Sequence, residues 1–343
     1  MTAHDSDGPG RTAVAIAPDV AAMLDALDKG FPDVTKVPVP ELRELIRSRR
    51  APLTRRPDMV SVTDIEITGP GGPIPLRIFR PHSASSALPV VVFAHGGGFV
   101  FCDLDSHDEL CRSMADGVGA VVVAVDYRLA PEHPAPAAHD DVYAALEWAS
   151  TNAAQYGGDS SRIALAGDSA GGNLTATVAI AARDRGAPHL IAQVMMYPVI
   201  DDDFDTESYR QFGTGFYNTT SAMKWYWQQY APSGTDDPRL VPTRAKSLKG
   251  LPPAVVITAQ LDPPCSSGDD YAQKLRAAGG RRSTPKVRRL VPWFSDVPLF
   301  VANRSCARND MGDDAGVHRL SSPPRRGAVS RSSGTPGLNR RWE

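Results

Sequence analysis

The chain has 343 residues, a formal net charge of -2, 42% hydrophobic and 22% charged residues; this suits one large α/β domain or two ordinary ones and leaves no footprint for nucleic acid or an anionic membrane. The amino terminus carries neither a basic nor an apolar leader, and no stretch approaches the roughly 20 apolar residues of a membrane span. Cys102, Cys111, Cys265 and Cys306 form no Cys-x-x-Cys pair and are too sparse for a disulfide framework, so a cytoplasmic protein with free thiols is expected.

Pro18 suits the first turn of a helix, Val20, Met23, Leu24 and Leu27 recur at helical spacing, and Gly30 reads as a stop. A second short helical pattern follows at Leu42, Leu45 and Ile46. Period-two alternation around Val60 and Val62, Ile65 and Ile67, then Leu76 and Ile78, is broken by the turn signal of residues 69–73, which predicts an antiparallel hairpin.

The register then changes. Residues 89–94, 120–125, 162–166, 191–196 and 254–258 are continuous apolar runs of strand length, the pattern of strands buried on both faces. Helical stretches at 137–154 and 170–183 separate several of them, predicting a mostly parallel sheet with helices on both sides. Residues 201–249 break this rhythm. They are rich in aromatic residues, from Phe204 to Trp227, and read as an insertion folded over the sheet.

Two strings sit at the ends of strand-like runs: His95-Gly96-Gly97-Gly98 and Gly167-Asp168-Ser169-Ala170-Gly171-Gly172. A Gly-x-Ser-x-Gly string arises by chance in about one chain in ten of this length. Here a buried strand feeds into it and a small-residue helix leaves it, which is the context of a nucleophile elbow presenting Ser169. The helix amino terminus adds partial positive charge beside any oxyanion. The glycines after His95 let peptide N–H groups converge on one point, where each preorganised donor is worth roughly 3–4 kcal/mol to a developing oxyanion. A phosphate-cradling loop is the alternative, but it would end in Lys-Ser/Thr, whereas Gly98 is followed by Phe99, Val100 and Phe101.

With Asp126-Tyr127-Arg128-Leu129-Ala130-Pro131-Glu132-His133 between them, these motifs resemble the hormone-sensitive-lipase-like family of α/β-hydrolases, which includes many bacterial carboxylesterases. The resemblance covers residues 17–279. It implies an α/β-hydrolase fold: a mostly parallel central sheet, helices on both faces and a helical cap. It implies Ser169 as nucleophile and the N–H groups of Gly97, Gly98 and Ala170 as the oxyanion hole, with His95, Gly96, Gly167, Asp168 and Gly171 in support. The chain divides accordingly into a cap segment (1–56), core (57–200), cap insertion (201–249), remaining core (250–300) and a tail (301–343) without helical period, expected to be disordered. Neither metal nor organic cofactor is implied, and the expected partner is a small-molecule ester. Family members often pair through a sheet edge or final helix, so a homodimer is allowed for.

Several polar residues read more plainly. Cys102, His107 and Cys111 have spacing loosely like a metal site but lack a fourth ligand. The polar residues between Asp126 and His133 are expected to form a buried network under the site, and Asp201, Asp202 and Asp203 a solvated face that helps shape the cap.

The triad order Ser, acid, His leads next to Asp262, just past an apolar strand and followed by proline as the family places its aspartate. Pro264, Cys265, Ser266 and Ser267 stand where the family usually carries Leu-Arg-Asp-Glu, so acidic groups that order that loop are lost. The histidine is missing where the resemblance implies it. About thirty residues on, residues 289–296 contain none, and only His318 follows Asp262. A shift of reading frame between Ala278 and Leu290 would explain both this and the unpatterned tail. Codons for residues 290–295 can be CTG GTA CCA TGG TTT TCT, which displaced by one nucleotide read Trp-Tyr-His-Gly-Phe.

The expected activity is hydrolysis of a carboxylic ester through an acyl-enzyme on Ser169, with Asp262 orienting the base. The competing expectation is an inactive relative that binds small apolar esters, since loss of a triad histidine costs roughly a millionfold in turnover; a third is that His318 folds back to Ser169 and serves as the base.

Overall fold

A computed structural model describes residues 16–50, 56–83, 85, 87–279, 282–283 and 286–287. Helix α1 (Pro18–Gly30) begins on its proline, carries Asp19 in the first turn and Lys29 in the last, and buries Val20, Leu24 and Leu27. These three pack with Phe212 and Leu261. Helix α2 (Val39–Ser48) buries Leu42, and its Arg43 donates to the carbonyls of Val100 (2.7 Å) and Ala130 (2.8 Å).

Strands β1 (Met59–Gly69) and β2 (Gly72–Pro81) form the expected antiparallel hairpin, closed by the Gly69–Gly72 pair. Five parallel strands follow: β3 (Leu88–Ala94), β4 (Val121–Val125), β5 (Gly158–Asp168), β6 (Leu190–Met196) and β7 (Ala254–Ala259), with the short β8 (Arg282–Ser283) beside β7. The sheet runs β1-β2-β4-β3-β5-β6-β7-β8, and only the pairings of β2 with β1 and β4 are antiparallel.

Alternation splits the central strands between two cores. Val90, Val92 and Ala94 face one layer, and Val91 and Phe93 the other. Helices α3 (Asp108–Val118), α4 (Ala137–Asn152), α5 (Ala170–Arg185) and α8 (Cys265–Ala277) follow β3, β4, β5 and β7 respectively. Fully buried side chains such as Phe79, Phe93 and Leu146 each contribute roughly 1.5–3 kcal/mol of hydrophobic stabilisation.

Residues 201–249 carry α6 (Glu207–Phe212) and α7 (Thr220–Tyr230) between β6 and β7. The acidic run is not the solvated face expected of it. Asp201 and Asp202 are half-buried and accept hydrogen bonds from Thr243 and Thr235, and Arg244 pairs with Asp202 at 2.8 Å, so only Asp203 faces solvent. No helix among the described residues is long and apolar enough to cross a membrane. Residues 289–296, Cys306, His318 and the expected disordered tail lie outside the described residues.

Candidate active site

Strands β3 and β5 are hydrogen-bonded neighbours, with Ala94 opposite Gly167. The two glycine motifs, remote in sequence, therefore meet where ligands bind in open α/β sheets, at the carboxyl ends of parallel strands. Asp168 makes the junction: its Oδ1 accepts the Gly96 N–H at 2.8 Å.

Ser169 has φ 52° and ψ -115°, a left-handed conformation that costs a non-glycine residue roughly 1–3 kcal/mol. Its N–H donates to the Met196 carbonyl (2.8 Å), and its own carbonyl accepts from Asn173 and Val199 (both 3.1 Å). The turn closes only with glycines beside it. A Cβ on Gly167 would run into the Gly171 carbonyl, and one on Gly171 into the Ala94 carbonyl. Ala170 is the first residue of α5, so its N–H belongs to the unsatisfied first turn of that helix. Gly97 and Gly98 have φ of 120° and 57°. Among the described residues no acceptor takes either N–H, while the Gly97 carbonyl closes a turn with Val100 and Phe101.

Below this loop lies a polar column. His95 is buried, its Nδ1 lies 2.7 Å from the Gly96 carbonyl, and its ring stacks on Tyr127 with centroids 4.3 Å apart. Burial, then the neighbouring His107, lowers its pKa to about 4. The Tyr127 hydroxyl donates to the His95 carbonyl at 2.7 Å. His107 Nε2 lies 3.3 Å from Asp168 Oδ1 and its Nδ1 2.9 Å from Ser106 Oγ. Of the expected polar network between Asp126 and His133, Tyr127 is inside and Arg128 grips the buried Asp141 through two hydrogen bonds of 2.8 Å. Glu132 and His133 are instead exposed, and Glu132 pairs with Arg43 at the surface.

A cavity opens over Ser169, lined by Gly97, Gly98, Phe99, Phe101, Tyr197, Val199 and, from the β6–β7 segment, Tyr217, Asn218, Met223, Tyr226 and Trp227. Among the described residues the non-glycine positions with positive φ are Phe99, Cys102, Ser169, Tyr197 and Tyr217. All but Cys102 line this cavity. Backbone strain is thus concentrated around one spot, the distribution typical of working sites rather than of scaffolds.

Asp262 lies in the turn between β7 and α8, 1% exposed. Asn218 Nδ2 donates to its Oδ1 at 3.2 Å. Burial pushes its pKa up to about 7, opposed only by that hydrogen bond. The residues that replace the family's acidic loop are ordered by another means. They open α8, with Ser266 N–H donating to Ser208 Oγ (2.9 Å) and Ser208 N–H to Ser266 Oγ (3.2 Å). The contribution of Asn218 escapes sequence reading, because a lone amide in an aromatic run carries no signal. No histidine among the described residues lines the cavity.

A family model described as an alpha/beta hydrolase fold matches residues 91–290. The carboxylic ester hydrolase LipN of Mycobacterium tuberculosis is 47% identical over 228 residues, 64% of this chain and 60% of LipN. Esterase LipI of the same organism is 39% identical over 77% of this chain and 83% of its own length. A solved thermostable esterase from Pseudomonas putida superposes with a TM-score of 0.74 at 36% identity, covering 83% of this chain and 89% of that one. Fold, motif order and relatives agree: the chain belongs to the hormone-sensitive-lipase-like family of α/β-hydrolases.

Proposed function

We propose that the chain hydrolyses carboxylic esters of small molecules through an acyl-enzyme on Ser169. The observation that carries this reading is the strained Ser169 at the floor of an aromatic cavity, beside three N–H groups with no described acceptor outside the helix start. Oγ gives its proton to a base as it attacks the ester carbonyl carbon, the carbonyl electron pair moves to oxygen, and that proton later passes to the leaving alcohol. That oxyanion lies against Gly97, Gly98 and Ala170 N–H, whose alignment precedes the reaction and so needs no reorganisation during it. The alcohol leaves with a proton, and water repeats the sequence on the acyl group. Asp262 would orient a base and stabilise its charged form.

The named activities of the relatives favour hydrolysis over mere binding. Residues 1–56 and 201–249 serve as the cap in this reading, the second supplying the apolar wall for the acyl group. Cytoplasmic residence is proposed with it, on Cys102 and Cys111 being thiols rather than disulfides. The test is acetylation by p-nitrophenyl acetate followed by peptide mass analysis. An acetyl group on Ser169, absent from Ser169→Ala, is expected; nitrophenol release at equal rates from both proteins, with no adduct, would end the reading.

A further inference from the structure

The chain has no histidine between His189 and His318, and none among the described residues lines the cavity. Asp262 is a buried carboxylate with, among the described residues, one side-chain hydrogen bond and no ion pair. A carboxylate in such surroundings calls for further donors. Its single donor, the Asn218 amide, also lines the cavity above Ser169. One side chain therefore touches both the acid and the reaction pocket, which is the relationship a triad imidazole has. A carboxamide can donate to the carboxylate but has no basic nitrogen with which to take the Ser169 proton. A neutral imidazole has one N–H and one lone pair on opposite edges of a small flat ring. The aromatic walls of the cavity, Tyr197 and Tyr217 among them, suit an uncharged, flat ring.

We propose that the cavity binds a small neutral imidazole from solution as a base for Ser169, its N–H toward Asp262 and its lone pair toward Ser169, in the place that the Asn218 amide otherwise fills. This rests on Ser169 as nucleophile. The lone pair takes the Oγ proton as Oγ bonds to the carbonyl carbon and the carbonyl π pair becomes the oxyanion. Collapse breaks the ester C–O bond, and the departing alkoxide takes the proton from the imidazolium. In deacylation the imidazole takes a proton from water as it attacks the acyl carbon, then returns it to Ser169 Oγ. Nothing is oxidised and the imidazole is regenerated.

The experiment is hydrolysis of p-nitrophenyl acetate by the full chain over a range of imidazole concentrations, less the rate with Ser169→Ala, which removes the reaction of imidazole in solution. A saturable gain of about tenfold or more is expected, within the range of general base catalysis. N-methylimidazole keeps the lone pair but has no N–H for Asp262, and should give no such gain. Asn218→Ala should reach half-saturation at lower imidazole. A rate that is linear in imidazole and equal to the Ser169→Ala rate overturns the proposal, as does equal help from N-methylimidazole; unchanged half-saturation in Asn218→Ala removes Asn218 from it. Acetyl-Ser169 found without imidazole dependence sinks the imidazole site alone, whereas no adduct with or without imidazole sinks the nucleophile as well.

Discussion

Asp168 Oδ1 accepts the Gly96 N–H at 2.8 Å while the next residue, Ser169, lines the cavity floor. The expected nucleophile and the expected oxyanion loop are thus fastened together through one carboxylate, and a Cβ on Gly96 would collide with it. Removing that carboxylate in Asp168→Ala frees the loop and leaves a buried N–H unsatisfied. Acylation by p-nitrophenyl acetate should slow by about 100-fold, the scale of losing one oxyanion donor. Asp168→Asn keeps an acceptor at the same place and should lose less than about tenfold on that scale. Equal losses in both variants would show that charge, not the Gly96 tether, matters.

Tyr226 packs directly on Gly98, whose missing side chain is what lets the ring lie there. It also meets Phe101 edge-on, with centroids 5.8 Å apart. Tyr226→Ala should open the cavity beside the oxyanion loop. With a methylene in an apolar pocket worth about 1–3 kcal/mol, the rate on hexanoate relative to acetate should rise about tenfold or more. A series of p-nitrophenyl esters of increasing chain length measures this; an unchanged profile would place the acyl wall elsewhere.

Asp262 is raised from 3.8 to about 7 by burial. The folded chain therefore holds a proton that the unfolded chain releases near pH 4. The associated stability is complete below that point, falls as pH rises toward 7, and is gone above it. Asp262→Asn removes this loss, so its urea midpoint should match the parent near pH 4 and exceed it at pH 8. A midpoint difference independent of pH would contradict the assignment.

His139 is fully buried, with Nδ1 3.2 Å from Thr177 Oγ1, and burial lowers its pKa to about 4. Here the sign reverses. Between its ordinary value of 6.5 and about 4 the unfolded chain binds a proton that the folded one refuses, so stability is lost as pH falls, by up to about 1.4 kcal/mol per pH unit. Urea denaturation of His139→Gln should show a shallower decline across that window, even if its stability near pH 7 is lower. An identical slope would assign the acid limb to other groups such as His95.

The fold and half of the site could be read from sequence for a physical reason. Continuous apolar runs require strands buried on both faces, and the glycines at 96–98, 167 and 171 mark places where backbone approaches backbone too closely for a side chain. Asp262 is legible only as an aspartate that follows a strand. The approach of His107 to Asp168 has no local signature, because it joins the start of α3 to the end of β5, far apart in the chain. Asn218 left no trace at all. Its hydrogen bond to Asp262 joins an irregular aromatic stretch to a turn, and no periodicity encodes such a meeting.

The cavity walls come from two different parts of the chain. Ser169, Gly97 and Gly98 stand on turns anchored to the sheet, whereas Tyr217, Asn218, Met223, Tyr226 and Trp227 all arrive on the stretch between β6 and β7. Bond-making parts and shape-giving parts are therefore modular. Exchanging that stretch between family members is a way to redirect which esters are accepted while leaving the strand-anchored chemistry untouched, and in this chain it would also exchange the Asn218 amide that holds Asp262.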